Sequence, residues 1–205
     1  MAFPWPPSLP ASSSPLTETL VFVTSNAGKA REASELLGCA VEIRALELNE
    51  VQSLSFDEVV RAKARDAASR LGRAVLVEDS GLSIVAWNGF PGPLTKWVTQ
   101  SVGEAGLARM LHPFPDRSAT AVSALAIAWP DEEHVEPLVV MGRVEGTIAR
   151  EPRGEQGFGW DVVFVPLGQE RTFAEMSPRE KNSRSHRSAA FELLAEARAR
   201  ARERS

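Results

Sequence analysis

Val75-Leu-Val-Glu-Asp-Ser-Gly-Leu82 is the stretch on which the reading of this 205-residue chain turns. Val75, Leu76 and Val77 form a short apolar run that reads as a buried strand, and the run gives way at once to Glu78, Asp79, Ser80 and Gly81. In an open α/β sheet, ligands sit beyond the carboxyl ends of the strands. Two carboxylates in that position are costly to desolvate without partners. As oxygen ligands they suit Mg²⁺, which commonly takes one or two carboxylates together with substrate phosphates. The competing reading is a solvated acidic turn, and the surrounding chain has to decide between them.

Upstream, Leu20–Val23 reads as a first buried strand, followed by TSNAGK at 24–29 and a helix to about Leu37 that Gly38 would stop. Val41–Leu46 alternates weakly, as a second strand would. The clearest helix spans Ser55–Leu71. Ser55 and Glu58 have capping-box spacing, Phe56, Val59, Val60, Ala64, Ala67 and Leu71 make an apolar stripe of helical period, and Gly72 ends it. Downstream, NGFPGP at 88–93 is a loop, and Leu94–Leu111 is a helix weakened by Gly103 and Gly106. Residues 118–129 and 138–149 read as a long strand pair joined by the acidic PDEEHVEP. Asp161–Val165 reads as a last strand and Ala189–Arg204 as a basic-ended helix. Helices alternating with strands early and a hairpin late predict an α/β fold with a mixed central sheet and flanking helices.

Composition sets the outer limits. The 43% hydrophobic and 24% charged content is that of a globular protein. A net charge of −4 argues against nucleic acid as a partner. No apolar run approaches a membrane span, and the Pro/Ser-rich start, MAFPWPPSLPASSSP, is not a signal peptide. Residues 1–18 are expected to be a disordered tail, with 19–205 forming a single two-lobed domain. Cys39 is the sole cysteine, which excludes an intramolecular disulfide and fits a reducing, cytoplasmic setting.

Several further stretches carry chemistry. TSNAGK lies where a strand hands over to a helix, so backbone N–H groups and Lys29 make an anion site, although taken alone the stretch reads rather more as an ordinary capped helix start with a surface lysine. It lacks Walker A spacing. Lys63 falls on the apolar stripe of its helix, where it either snorkels outward or reaches an anion in a cleft. Lys96 follows a PGP turn. GFGWD at 157–161 offers two aromatic rings among glycines, either a stacking pocket for a flat ring or a bend entering a strand. In EKNSRSHR at 180–187, His186 and Arg187 place an imidazole beside a guanidinium fork. His112 and His134 read as surface residues.

Taken in order, TSNAGK, VLVEDSGL, GFPGPLTKW, GFGWD, FAEMSPREKN and SHR closely resemble the inosine triphosphate pyrophosphatase family, from about Leu20 to Ala197. That family hydrolyses non-standard purine nucleoside triphosphates (ITP, dITP, XTP), and GPLTKW and FGWD are similar to its eukaryotic and archaeal branch. The resemblance implies two lobes around a nucleotide cleft, Mg²⁺ as cofactor, a homodimer and clearance of the nucleotide pool. It implies that Thr24, Ser25, Asn26, Ala27, Gly28 and Lys29 hold the triphosphate. Asp79 would be the catalytic carboxylate and, with Glu50, a metal ligand. Ser80, Lys63, Lys96 and Lys181 would bind substrate, and Phe158, Gly159, Trp160 and Asp161 with His186 and Arg187 would hold base and sugar. Three departures stand out: TSN where the family usually has TGN, Val162 where it usually has proline, and a short, glycine-bearing GEAGLARMLHPF. They leave open a nucleotide-binding sensor without turnover. A related pyrophosphatase acting on pyrimidine or modified nucleotides is the other reading.

Overall fold

The computed structural model describes residues 20–37, 42–130 and 135–202. The expected tail, the helix stop at Gly38, Cys39 and His134 lie outside them. Seven strands form one sheet in the order β2 (Glu42–Arg44), β1 (Val21–Val23), β3 (Val75–Ile84), β5 (Ser118–Ala128), β6 (Leu138–Ile148), β7 (Phe164–Pro166), with the two-residue β4 (Pro91–Gly92) on β3. β1 runs parallel to both β2 and β3, because helices α1 (Ala27–Leu37) and α2 (Phe56–Leu71) carry the chain back between them. The other pairings are antiparallel. The sheet is therefore mixed, as expected. Among the described residues no helix is long and apolar enough to cross a membrane.

α2 covers one face. Ser55 caps it, accepting the Glu58 N–H at 3.4 Å, but the Glu58 carboxylate turns to the Ser53 hydroxyl at 2.6 Å, so only half of the expected capping box forms. Gly72 ends the helix in the left-handed conformation. Its stripe packs Phe56, Val60, Ala64 and Ala67 against Val21, Val23, Val75, Val77 and the Val122/Ala124/Ala126 side of β5. The opposite face buries Phe22, Leu76, Leu125 and Ile127 beneath α1 and α5 (His186–Arg202). A third cluster, around Leu82, Ile84, Leu107, Leu111, Phe164 and Phe173, lies at the far end of the sheet, where α3 (Thr95–Met110) packs.

Three expectations need correcting. β3 does not stop at Val77. It continues through Glu78 and Asp79 to Ile84, because β5 pairs with it along the whole length from Val75↔Ala128 to Ile84↔Ala119. What stops at Val77 is its parallel partner: β1 ends at Val23↔Val77, and β4 joins only at Leu82↔Gly92. Residues 78–81 therefore form a gap in the ladder on one edge of β3. Asp161 is not in a strand but in a 3₁₀ turn, Gly159–Val162, ahead of β7. α5 begins at His186, three residues earlier than its apolar pattern suggests, and α3 breaks at Gly103 (φ 72°).

Glycine at 142 is needed where the first turn of α5 meets the sheet. A Cβ there would lie 2.1 Å from the His186 carbonyl oxygen and 2.2 Å from the Ala190 nitrogen. The bare backbone of β6 thus lets the first turn of α5 rest directly on the sheet, which carries His186 and Arg187 inward.

Candidate active site

The gap in β3 opens on a cleft of about 720 Å³. Its walls come from the start of α1, the segment 46–51, the Lys63 side of α2, the start of α3, and Phe158–Trp160.

At one end, the turn after β1 is tied by its own side chains. The Thr24 hydroxyl accepts the Asn26 N–H at 3.1 Å, and Asn26 Oδ1 accepts the Lys29 N–H at 3.1 Å, capping α1. The first amides of the helix are left without intrahelical partners, as at any helix N-terminus. Ser25 replaces the family's usual glycine without strain: among the described residues Asn88 is the one non-glycine with positive φ. Burial pulls the Lys29 pKa below its usual value, against the pull of Glu78 and Asp79.

At the centre, Asp79 faces α2 and Glu50 comes from the segment before it. Lys63 does not snorkel away. Its Nζ donates to Asp79 Oδ1 at 2.8 Å and lies 3.9 Å from Glu50 Oε1, which also meets Lys96 Nζ at 3.2 Å. Asp79 Oδ2 is buried and has no hydrogen-bond partner among the described residues. An unpartnered carboxylate oxygen beside a second carboxylate, with no thiolate or imidazole near among the described residues, is a donor set that fits a hard divalent cation such as Mg²⁺. Among the described residues no group of three or more His, Cys, Asp or Glu could enclose a metal by itself. A cation held by Asp79 and Glu50 would leave positions for water and phosphate oxygens.

Glu78, the next residue back along the strand, points to the opposite face and enters a buried network. Its oxygens accept from Arg187 Nε at 3.0 and 3.1 Å, from Arg187 Nη2 at 2.8 Å and from the Ser123 hydroxyl at 3.0 Å, and Lys29 Nζ stands 3.9 Å away. Arg187 also bonds Glu32 on α1. Glu32 in turn takes Lys181 Nζ at 2.8 Å, and Lys181 reaches Asp161 Oδ2 at 2.6 Å. Three cations (Lys29, Lys181, Arg187) thus balance three anions (Glu32, Glu78, Asp161). Burial pushes the Glu78 pKa up, but Arg187 and Lys29 outweigh it and hold the carboxyl at about 2. For Asp161 burial prevails over Lys181, and its pKa is raised. Burial, with Arg187 and Lys181 nearby, drives the His186 pKa well below 6.5, so its imidazole is neutral at pH 7. Both ring nitrogens of His186 lack partners among the described residues.

At the other end, Phe158 and Trp160 form the wall. The Trp160 ring is 5.0 Å from the His186 ring, and Phe158 lies over Lys181 at 4.9 Å and Arg187 at 5.4 Å. Lys181, His186 and Arg187 are only 3%, 1% and 1% exposed, so they stand behind the aromatic wall rather than in the open cleft. Ser80 and Lys96 line the cleft. Glu32 and the role of Glu78 escape the sequence reading. Glu32 sits three residues after Lys29 and beside the buried Ala33, and Glu78 alternates with buried Leu76, which are the signals that could have found them.

Residues 20–197 match the family model described as the Ham1 family. A dITP/XTP pyrophosphatase of Methanopyrus kandleri is 42% identical over 180 residues, covering 86% of this chain and 94% of that protein. An inosine triphosphate pyrophosphatase of Yarrowia lipolytica is 46% identical over 86% of this chain and 93% of its own length. Among solved structures, a nucleoside-triphosphatase/dITP/XTP pyrophosphatase from Mycobacterium abscessus superposes with a TM-score of 0.67 at 37% identity, covering 85% of this chain and 97% of that one. The Staphylococcus aureus Ham1 protein does so with a TM-score of 0.71 at 28% identity, covering 90% and 99%.

Proposed function

The chain belongs to the Ham1 family, and from that membership and the geometry of the cleft we infer that it hydrolyses non-standard purine nucleoside triphosphates (ITP, dITP, XTP) to the nucleoside monophosphate and pyrophosphate. One observation carries this reading: a single cleft holds a capped helix start and lysines at one end, an aromatic wall at the other, and Asp79 between them.

The first amides of α1 and Lys29 receive phosphate oxygens, while Lys63 and Lys96 exchange their carboxylate partners for the triphosphate. Those cations lie where negative charge grows on the departing pyrophosphate, the place where preorganised charge lowers a barrier most. Asp79, through its unpartnered Oδ2, takes the proton of the water that attacks the α-phosphate. Mg²⁺ held by Asp79 and Glu50 would supply further neutralisation of phosphate charge. Phe158 and Trp160 offer ring faces to a purine, and His186, Lys181 and Arg187 stand behind them to read its polar edge.

Mg²⁺ dependence, a homodimer and a place in the cytoplasmic nucleotide pool complete the reading, supported by the donor set, the family resemblance and the single cysteine. The test is release of pyrophosphate, rather than orthophosphate, from ITP in the presence of Mg²⁺, with size-exclusion chromatography for the dimer. ITP binding without pyrophosphate release would replace the enzyme by a sensor. Preference for pyrimidine or modified triphosphates would move it to the related pyrophosphatase group.

A further inference from the structure

Gly28 occupies the first turn of α1, within the segment that faces the phosphates. A Cβ built on it would fall 2.4, 2.6 and 2.8 Å from three ring carbons of Phe158. Real Cβ atoms do not come so close, so the ring is seated in a notch that exists because residue 28 has no side chain. Lys181 Nζ and Arg187 Cζ also approach the ring, at 4.9 and 5.4 Å from its centre. Phe158 itself stands between two glycines in left-handed conformations, Gly157 (φ 73°) and Gly159 (φ 55°), which other residues rarely adopt. Its N–H is held by Asp161 Oδ2 at 2.8 Å. The backbone is anchored, and the ring's resting place is set by the notch.

We propose that Gly28 is a positioning residue for the nucleobase end of the cleft: its missing Cβ seats the Phe158 ring, and through that ring the turn that receives the phosphates fixes where a purine can stack. The inference rests on the nucleotide reading above. It separates two roles that one glycine could hold. Close approach of backbone to phosphate would make Gly28 matter for any phosphate ligand. Seating of Phe158 makes it matter only for ligands that carry a base.

Gly28→Ala, Phe158→Ala and the double variant of the full chain test it. A Cβ at position 28 must push the Phe158 ring aside near its root, so the melting temperature of Gly28→Ala is expected to fall, and affinities are compared at a temperature where both proteins remain folded. A base–aromatic stack is worth roughly 5- to 150-fold in affinity, so KM for ITP and Kd for inosine monophosphate should rise within that range. The Kd of pyrophosphate, which has no base, should stay within about twofold, because no stack is involved. In the Phe158→Ala background the Gly28→Ala change should move none of these by more than about twofold, since residues that act through one contact are not additive. Equal losses for pyrophosphate and inosine monophosphate would overturn the proposal in favour of a phosphate role. So would the same loss with and without the Phe158 ring, or no change in nucleotide affinity at all. A parent protein that binds neither inosine monophosphate nor ITP would overturn the nucleotide reading itself, and the proposal with it.

Discussion

Glu78 and Asp79, consecutive in the chain, face opposite sides of β3: Glu78 bonds Arg187 of α5, and Asp79 bonds Lys63 of α2. The cause is the two-residue period of a strand. The consequence is a division of labour, since only Asp79 can share a cation with Glu50, while Glu78 is enclosed by Arg187, Ser123 and Lys29. Both reach the cleft region because β3 has no neighbour on one edge between Val77 and Leu82.

Isosteric amides at these two positions should therefore fail in different ways. Asp79→Asn removes a base and a ligand charge but keeps the side chain's shape at the cleft wall, and kcat on ITP should fall by about 10²–10⁴-fold, the usual contribution of a general base. Glu78→Gln leaves Arg187 under-compensated in the interior and should cost about 3–5 kcal/mol in unfolding free energy, the range for breaking a buried pair. Urea unfolding and steady-state kinetics on both variants check the contrast. Comparable stability losses in the two would show that the faces are not distinct.

Lys63→Met tests the other side of Asp79. From the apolar stripe of α2 alone, methionine would be tolerated or mildly stabilising. The structure reverses that expectation, because Asp79 Oδ2 already lacks a partner and Oδ1 would lose its own. Stability should fall by roughly 1–3 kcal/mol, the cost of an unsatisfied buried acceptor, and ITP affinity by roughly 1.5–3 kcal/mol. Added Mg²⁺ should raise the melting temperature of the variant more than that of the parent, because Lys63 no longer competes for the carboxylate. Unchanged stability and KM would leave Lys63 as a bystander.

What could be read from the chain was what is local. The α2 stripe, its Ser55 cap and its Gly72 stop follow from local spacing along one 16-residue helix and its two flanking residues, and all three hold. The β5–β6 hairpin was equally plain from two long runs around an acidic turn. The course of β3 through two acidic residues was not, because the bonds that keep Glu78 and Asp79 in a strand come from β5, some 45 residues away in sequence. The charged interior was hidden for the same reason. Arg187 meets Glu32 across 155 residues and Glu78 across 109, and a sequence shows such residues only as surface charges. Asp161 was placed in a strand because the 3₁₀ turn that holds it is shaped by glycines and by Lys181 rather than by apolar periodicity.

Acid should weaken the fold through His186. Folded, its imidazole resists protonation well below 6.5, whereas in the unfolded chain it binds a proton near that value. Unfolding therefore takes up a proton as pH falls, so this contribution to stability is complete above pH 6.5 and is lost progressively below it. The slope from this group approaches roughly 1.4 kcal/mol per pH unit. Chemical unfolding of the parent and of His186→Phe between pH 7 and pH 5 should show a shallower decline in the variant. Parallel declines would assign the acid sensitivity to other groups.

The choice of base is the last prediction, and the buried network alters how it should be tested. Arg187 next to His186 in sequence suggests that its fork reads the 6-oxygen of hypoxanthine, with Arg187→Ala as the direct probe. In the structure, the fork is committed to Glu78 and Glu32, so alanine there would leave two buried carboxylates unpaired and confound recognition with stability. His186 is the better probe. Among the described residues its two ring nitrogens are unpartnered, it is neutral, and its ring lies 5.0 Å from Trp160 at a tilt of 40°, behind the wall, where a base that shifts Trp160 would meet it. A neutral imidazole has one N–H to give, which pairs with the 6-oxygen of hypoxanthine or xanthine and meets the 6-amine of adenine donor to donor. Guanine shares the 6-oxygen, so its rejection must come from the 2-amino group against the Phe158–Asp161 backbone. The parent should therefore hydrolyse ITP and XTP well, GTP poorly and ATP worst. His186→Phe keeps a ring against Trp160 and removes the donor. It should lose about 1–3 kcal/mol of transition-state stabilisation on ITP, with little change on ATP, so that the two kcat/KM values approach each other. Kinetics on the four triphosphates with both proteins decide the matter. A parent equally efficient on ATP and ITP would make the protein a general triphosphate hydrolase, and a variant that loses the same factor on both would leave His186 as packing for Trp160.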